Sequence, residues 1–302
     1  MKPLEINEFK GYKTVNYNEK LKVNRAFFSS VKDFNGKLSE SHFSLKFPIT
    51  GVENYSVDNK RYKLDKLSYI VTNASQHITA DVKSKNPVLG ICIGFSEEFM
   101  FNLAGSYNQK LEEGLENPFN NKTPISFITK KSRICNDKLS SIVSAIKNDV
   151  LCNNIKDNYE EEQFYITLGE LLIEQQQKIY SDIKRLPQAK FSTREEIYRR
   201  VSVINDFICD NYKNDISIEQ LSRLSALSKY HAIRCYQKIN KISPYQKIQK
   251  LRLEEAKQLI LSGMSVAEAA NEVNFTDYRT LSKLFKKHYG LTPSELKNIH
   301  KQ

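Results

Sequence analysis

The chain has 302 residues, 40% hydrophobic and 27% charged, with a net charge of +11 at pH 7. That composition supports ordinary buried cores and excludes a fibrous or wholly disordered chain. The surplus of cations favours a polyanionic partner, nucleic acid or an acidic membrane surface. Cys92, Cys135, Cys152, Cys209 and Cys235 are odd in number and contain no C-x-x-C pair. This argues against a disulfide framework and against a zinc site, and it suits a reducing cytosol. The opening M-K-P-L-E-I-N-E-F-K has no apolar signal region, and the longest apolar stretch, residues 88–95, is broken by Gly90 and Gly94. It is far too short to span a bilayer, so a cytoplasmic protein with no membrane partner is expected.

Residues 24–95 are rich in Ser, Thr, Val, Tyr, Phe and Asn. Alternation is visible in F-S-L-K-F (43–47), N-Y-S-V-D (54–58), R-Y-K-L (61–64) and L-S-Y-I-V (67–71). Asp58-Asn59-Lys60 has the composition of a hairpin turn. Short, regular, half-buried strands predict a small sandwich or barrel.

Between residues 137 and 186 the pattern turns helical, with one helix over roughly 139–152 and a second over about 160–185. In the second, Phe164, Leu168, Leu171, Leu172, Gln175, Ile179, Ile183 and Leu186 recur near heptad spacing. Two readings stay open: a helix packed on its own strand domain, or a dimer seam through Leu168, Leu171, Leu172 and Ile179. Residues 186–192 read as a linker in which Pro187 stops the long helix. Thr193-x-x-Glu196 is expected to cap the next one.

Everything after Thr193 reads as helix and brief turn, and one pattern occurs twice, over 217–244 and 265–293. Ser217-x-x-Gln220 and Ser265-x-x-Glu268 are capping boxes that open a short helix. Ser228 and Asp277 sit where a second helix needs an N-cap. Ser243-Pro244-Tyr245-Gln246 and Thr292-Pro293-Ser294-Glu295 close each copy with a cap and a first-turn proline. Each copy is thus a short helix, a turn, a second helix and the start of a third, the geometry of a helix-turn-helix.

Helical periodicity divides the faces of the two second helices. In the first, Ala232, Cys235, Tyr236 and Ile239 form the expected buried stripe, while Tyr230, Ile233, Arg234 and Gln237 face outward. In the second, Leu281, Leu284, Phe285 and His288 are expected inside and Arg279, Ser282, Lys283 and Lys286 outside. A lone stripe of this kind is ordinarily a solvated face. Two matched ones, carrying cations with flat, amide or methyl-bearing groups, suit the base edges of a major groove. Lys229, His231, Lys238, Lys286 and Lys287 are the expected phosphate contacts. Between the copies, 244–261 reads as one helix with Ile248, Leu251, Ala256, Leu259 and Ile260 inward. Eighteen residues span roughly 27 Å at ~1.5 Å each, a strut of the order needed to set two helices in successive grooves about 34 Å apart. From Ser192 onward there are 19 Lys and Arg against 12 Asp and Glu, so most of the net charge lies where a polyanion would bind.

At these residues the chain resembles the AraC/XylS family over roughly 197–298, most specifically in R-L-E-E-A-K-Q-L-I (252–260), V-A-E-A-A-N-E-V-N-F-T-D (266–277) and L-S-K-L-F-K-K-H-Y-G-L-T-P-S-E (281–295). The resemblance implies a transcription regulator. It sets base-facing positions at Tyr230, Ile233 and Arg234 and at Tyr278, Arg279, Thr280 and Lys283; Tyr278 and Thr280 come from the family alone. Two departures stand out. Asn274 and Lys241 occupy positions where the family usually has Gly; Asn tolerates the left-handed conformation, and Lys is less comfortable in it. The N-terminal half resembles the cupin-type sensor domain that many members use to bind an effector, to dimerise, or both.

The expected architecture is therefore an α+β two-domain chain. A cupin-like β-barrel or sandwich with helices covers 1–135, a helical dimerisation or linker segment 136–190, and an all-α domain with two helix-turn-helix units 191–302. Double-stranded DNA is the expected partner, with a homodimer, a small-molecule effector and, for an activator, RNA polymerase. Phe47, Tyr55, Tyr69 and His77 are candidates for an effector pocket, against the plainer reading as core or face residues. His42 and His77 lack further ligands at metal-binding spacing, so no metal or other cofactor is expected. No nucleophile-base set, phosphate-binding Gly loop or carboxylate pair appears, so no enzyme is expected. The rival readings are a cupin-type isomerase or oxygenase fused to a DNA anchor, which the missing His/Glu cluster disfavours, and a regulator whose N-terminal domain acts only through protein contacts.

Overall fold

The computed structural model describes residues 6–9, 24–38, 42–108, 123–134, 137–152, 154 and 159–300. The chain divides into two compact units, Met1–Tyr180 and Ser181–Gln302.

The first unit is built on one eight-stranded sheet that bends into a nearly closed, largely antiparallel barrel. Its strands are β1 (Ile6–Phe9), β2 (Arg25–Leu38), β3 (Phe43–Pro48), β4 (Val52–Val57), β5 (Lys60–Asp65), β6 (Ser68–Thr72), β7 (Ile78–Phe95) and β8 (Lys131–Arg133). The long β7 is the spine. It pairs with β2 along nearly its whole length, while β3 takes its C-terminal half and β4 its N-terminal half. A register shift between Val31 and Asp33 marks where β2 bends with it. The expected hairpin is there: β4 and β5 pair antiparallel across Asp58 and Asn59, which take φ of 47° and 66°. Both central residues are thus left-handed, as a two-residue primed turn requires.

Strand alternation separates two environments. On one face Phe43, Leu45, Phe47, Tyr69, Val71, Ile91, Ile93 and Phe95 pack against helices α1 (Glu97–Asn108), α2 (Lys138–Leu151) and α3 (Glu161–Lys184). On the other, Tyr55, Val57, Leu64, Ile70, Ile78 and Ala80 form a second cluster. This second face also carries buried polar groups. Ser44 and Thr72 share a hydrogen bond of 2.6 Å, and Lys46 Nζ donates to Cys92 Sγ at 3.0 Å.

The face of α3 expected as a dimer seam is used within the unit. Leu168 and Leu172 lie in the core formed with the sheet, Leu171 packs against it, and Ile179 is also buried. Burying each such side chain stabilises by about 1.5–3 kcal/mol, so the strand domain itself has claimed this stripe. Of the segment 136–190, residues up to Tyr180 belong to this unit, and α2 contributes Leu139, Val143 and Ile146 to the same core.

The second unit is helical: α4 (Phe191–Asn211), α5 (Ile218–Ser225), α6 (Lys229–Asn240), α7 (Pro244–Leu261), α8 (Val266–Glu272), α9 (Tyr278–Tyr289) and α10 (Pro293–His300). Helix α4 begins at Phe191 after Lys190, with no side-chain cap. The expected Thr193–Glu196 box is therefore not formed. The helix starts one turn earlier, and Glu196 pairs instead with Arg200 at 3.0 Å. Helix α7 buries Ile248, Leu253, Ala256 and Ile260, with Leu251 only half-buried. Among the described residues no helix is long and apolar enough to cross a membrane, and no group of three His, Cys, Asp or Glu could hold a metal ion. Cys135 lies outside the described residues.

Candidate nucleic-acid interface

Two short capped helices set the stage for two longer ones. Ser217 and Ser265 each accept a hydrogen bond from the backbone N–H three residues on, at 3.2 Å, and Gln220 and Glu268 accept in return from the cap's own N–H. These reciprocal bonds satisfy amide donors that a helix start leaves unpaired. Ser228 and Asp277 then cap α6 and α9 through His231 N and Thr280 N. Both helices are 12 residues long and end on a left-handed residue, Lys241 (φ 65°) and Gly290 (φ 80°). The turns before them differ. Ala226 turns the chain in the first copy with φ 50°, and Asn274 in the second with φ 58°.

The inward stripes are buried as periodicity demands, with one exception. Ala232, Cys235, Tyr236 and Ile239 are buried on α6, and Leu281 and Phe285 on α9, where Leu284 packs partly into the same core. His288, expected inside, is exposed. It lies at the last turn of α9, where Tyr289 rather than His288 packs against Phe285 with ring centroids 4.6 Å apart.

The outward stripes lie open. Tyr230 is 75% exposed and Tyr278 50%, and Arg234, Gln237, Arg279, Lys283, Lys286 and Lys287 are exposed. Ile233 is half-buried. Arg279 lies with its guanidinium 5.9 Å from the Tyr278 ring centroid, a cation–π arrangement that pairs the two side chains at the start of α9. Thr280 differs from the rest: its hydroxyl donates to Asp277 Oδ2 at 3.0 Å and so serves the cap. Of the basic flank, Lys229 forms an ion pair with Glu219 across α5 and α6, and His231 and Lys238 are half-buried. Hydrogen bonding to Lys229 holds the Glu219 carboxyl below its usual range.

One exposed aromatic group escaped the periodicity. Tyr245, 67% exposed, stands in the first turn of α7 directly after the proline of the Ser243 cap. It was hidden as the variable position of a capping motif; its only signal is a large ring in a first turn, where nothing can cover it.

The effector candidates do not converge. Phe47 and Tyr69 are buried in the sheet–helix core, and Tyr69 accepts a hydrogen bond from Gln175 Nε2. Tyr55 belongs to the cluster on the opposite face and donates to Glu53 at 3.0 Å, and His77 is exposed.

Comparison with known proteins agrees with the geometry of the second unit. The family described as a helix-turn-helix domain matches residues 221–299. An uncharacterized HTH-type transcriptional regulator of Bacillus subtilis, YbfI, is 29% identical over 128 residues, 42% of this chain and 43% of its own. The raffinose operon transcriptional regulatory protein RafR of Pediococcus pentosaceus is 29% identical over 131 residues, 43% of this chain and 46% of its own. An uncharacterized HTH-type transcriptional regulator of Haemophilus influenzae is 37% identical over 84 residues, 28% of either chain. The matched part spans less than half the length of each of these relatives. With two capped helix-turn-helix units in series on one connecting helix, residues 221–299 form a helix-turn-helix domain similar to the matched part of these regulators.

Proposed function

We propose that this chain is a sequence-specific DNA-binding transcriptional regulator whose α6 and α9 enter successive major grooves of one duplex. The observation that carries the reading is the duplication: two 12-residue helices, each capped on the same pattern, turn exposed aromatic and cationic side chains to solvent, Tyr230 and Arg234 on one and Tyr278, Arg279 and Lys283 on the other. Arg and Lys at such positions reach guanine edges, and Tyr and Ile meet thymine methyls. Arg234, Arg279 and Lys283 are the principal readers, with Tyr230, Ile233 and Tyr278 beside them; Lys238, Lys286, Lys287, Lys229 and His231 contact phosphates. Thr280 acts through the cap of α9.

In this reading the N-terminal unit supplies control. A small effector or a partner copy shifts the population of the DNA-competent form. Any homodimer forms through a surface other than the buried stripe of α3. RNA polymerase is the partner of an activator, the cytoplasm is the place of work, and the chain catalyses no reaction.

Selection of the full chain against a randomised duplex library, sequenced at physiological salt, tests the reading. A two-part motif with half-elements about one helical turn apart is expected. Enrichment of no sequence above the input pool would overturn it.

A further inference from the structure

The first residue of the R-L-E-E-A-K-Q-L-I motif has no place on either reading face, yet its side chain donates to three backbone carbonyls. Arg252, midway along α7, donates from Nε to the Tyr212 carbonyl at 2.6 Å, from Nη2 to the Asn214 carbonyl at 2.9 Å and from Nη1 to the Asn274 carbonyl at 2.6 Å. Tyr212 and Asn214 belong to the loop that leads into the first helix-turn-helix. Asn274 is the left-handed residue of the turn in the second. The same two segments are joined again side by side, because Asn274 Nδ2 donates to Asp215 Oδ1 at 3.1 Å. Lys213, between them in sequence, reaches Glu255 on α7 at 2.8 Å and Glu272 on α8 at 3.7 Å.

A single helix joining two reading heads fixes their separation along its axis but not the rotation of either head about it. A planar guanidinium holding three carbonyls at set angles does restrict that rotation, because its donors are in a rigid fork. The anchors are well placed. Asp215 lies two residues before Ser217, the cap of α5, and Asn274 lies three before Asp277, the cap of α9. Glycine at position 274 would satisfy the turn but could not make the bond to Asp215.

We propose that Arg252, reinforced by the Asn274–Asp215 bond, is a positioning residue that fixes the relative placement of the two heads and thereby the spacing of the half-elements the protein accepts. The inference rests on the DNA-reading function above. One inserted base pair displaces the second half-element by ~3.4 Å and rotates it by roughly 35°, which a latched pair of heads cannot follow and a loosened pair can.

The test uses the full chain and two variants, Arg252→Lys, which keeps the charge and loses the fork, and Asn274→Gly, which keeps the left-handed turn and loses only the bond to Asp215. The probes are duplexes carrying the two-part element that the wild type enriches, at its selected spacing and with one base pair added or removed. Wild type is expected to lose at least about tenfold in affinity on either change, the scale of one mismatched base pair. Both variants should lose less than about threefold on that scale while keeping the same base preference within each half-element. Variants that keep the wild-type spacing penalty, or that weaken by one common factor at every spacing, overturn the proposal while leaving DNA reading intact. A wild type that enriches no two-part element overturns both. Should Arg252→Lys fail to fold, Asn274→Gly decides alone, since glycine adopts the required backbone conformation without strain.

Discussion

The Glu53 side chain lies flat over Gly90, so that a β-carbon on residue 90 would stand 2.2 Å from Glu53 Oε1. Glu53 is 4% exposed, its Oε2 accepts from Tyr55, and burial pushes its carboxyl above the usual range. Gly90→Ala must therefore displace a buried polar side chain from its hydrogen bond. We expect a loss of about 1–3 kcal/mol in the stability of the N-terminal unit, read by urea unfolding. In a Glu53→Ala background the same change should cost much less, and in Glu53→Gln as much as before, because the conflict is one of space. Equal costs in all three backgrounds would locate the damage elsewhere.

Lys147 is, with Lys46, a buried cation of that unit. Its Nζ donates to the Lys66 carbonyl at 2.6 Å and lies 5.3 Å from the Phe47 ring centroid. Burial lowers its pKa to about 8, against the pull of Asp65 and Glu53. The unfolded chain, with an ordinary lysine, then binds more protons than the folded one between pH 8 and about 10.5, and stability rises with pH across that window. Below pH 8 both states are protonated and the penalty is constant. Relative to Lys147→Met, the wild type should gain about 2 kcal/mol between pH 7 and 10. The hydroxyls of half-buried Tyr159 and buried Tyr165, which titrate higher when folded, act in the opposite sense only above about pH 10. Parallel stability curves for the two proteins would refute this placement of the charge.

What the sequence made legible was what local chemistry decides. The Asp58–Asn59 turn, the caps at Ser217, Ser228, Ser243, Ser265 and Asp277, and the buried stripe of α6 are each set within a few residues, so composition and period suffice. Longer-range choices were not legible. The stripe of α3 suits a sheet or a second copy equally well, and only the fold shows that Leu168 and Leu172 share one core with Phe95 and Tyr69. Strand β1, parallel to β2, and the three-residue β8 have too few side chains to carry a period. The role of Arg252 has no local signal, because its three acceptors are 22 to 40 residues distant in sequence.

Besides Asn274, two turns of the second unit carry side chains in backbone conformations that favour glycine. Ala226 closes α5 with φ 50° and Lys241 closes α6 with φ 65°. A β-carbon there costs roughly 1–2 kcal/mol, offset in part because glycine adds ~0.4–1 kcal/mol of unfolded-state freedom. Ala226→Gly and Lys241→Gly should each stabilise the unit by about 0.5–1 kcal/mol and add together, since neither touches the other's helix cap. A lower urea midpoint for either variant would show that the surrounding turn, not the β-carbon, sets the balance.

On the proposed DNA face, two kinds of contact separate by what they do to sequence preference. Arg234 and Arg279 stand exposed in the outward stripes of α6 and α9, whereas Lys286 and Lys287 lie in the last turn of α9. A base-reading arginine loses a bidentate contact worth about 1–3 kcal/mol when cut to alanine, and the loss is confined to the base it read. Arg234→Ala should relax one half-element and Arg279→Ala the other, each leaving its partner's preference unchanged. Lys286→Ala and Lys287→Ala should weaken binding by a similar factor on every duplex and lower the slope of log affinity against log salt by about 1. Selection profiles for the arginine variants and salt titrations for the lysine variants decide the matter. A uniform, salt-dependent loss for Arg279→Ala, with its half-element intact, would move that side chain from the bases to the backbone and turn the reading face of α9 toward Lys283.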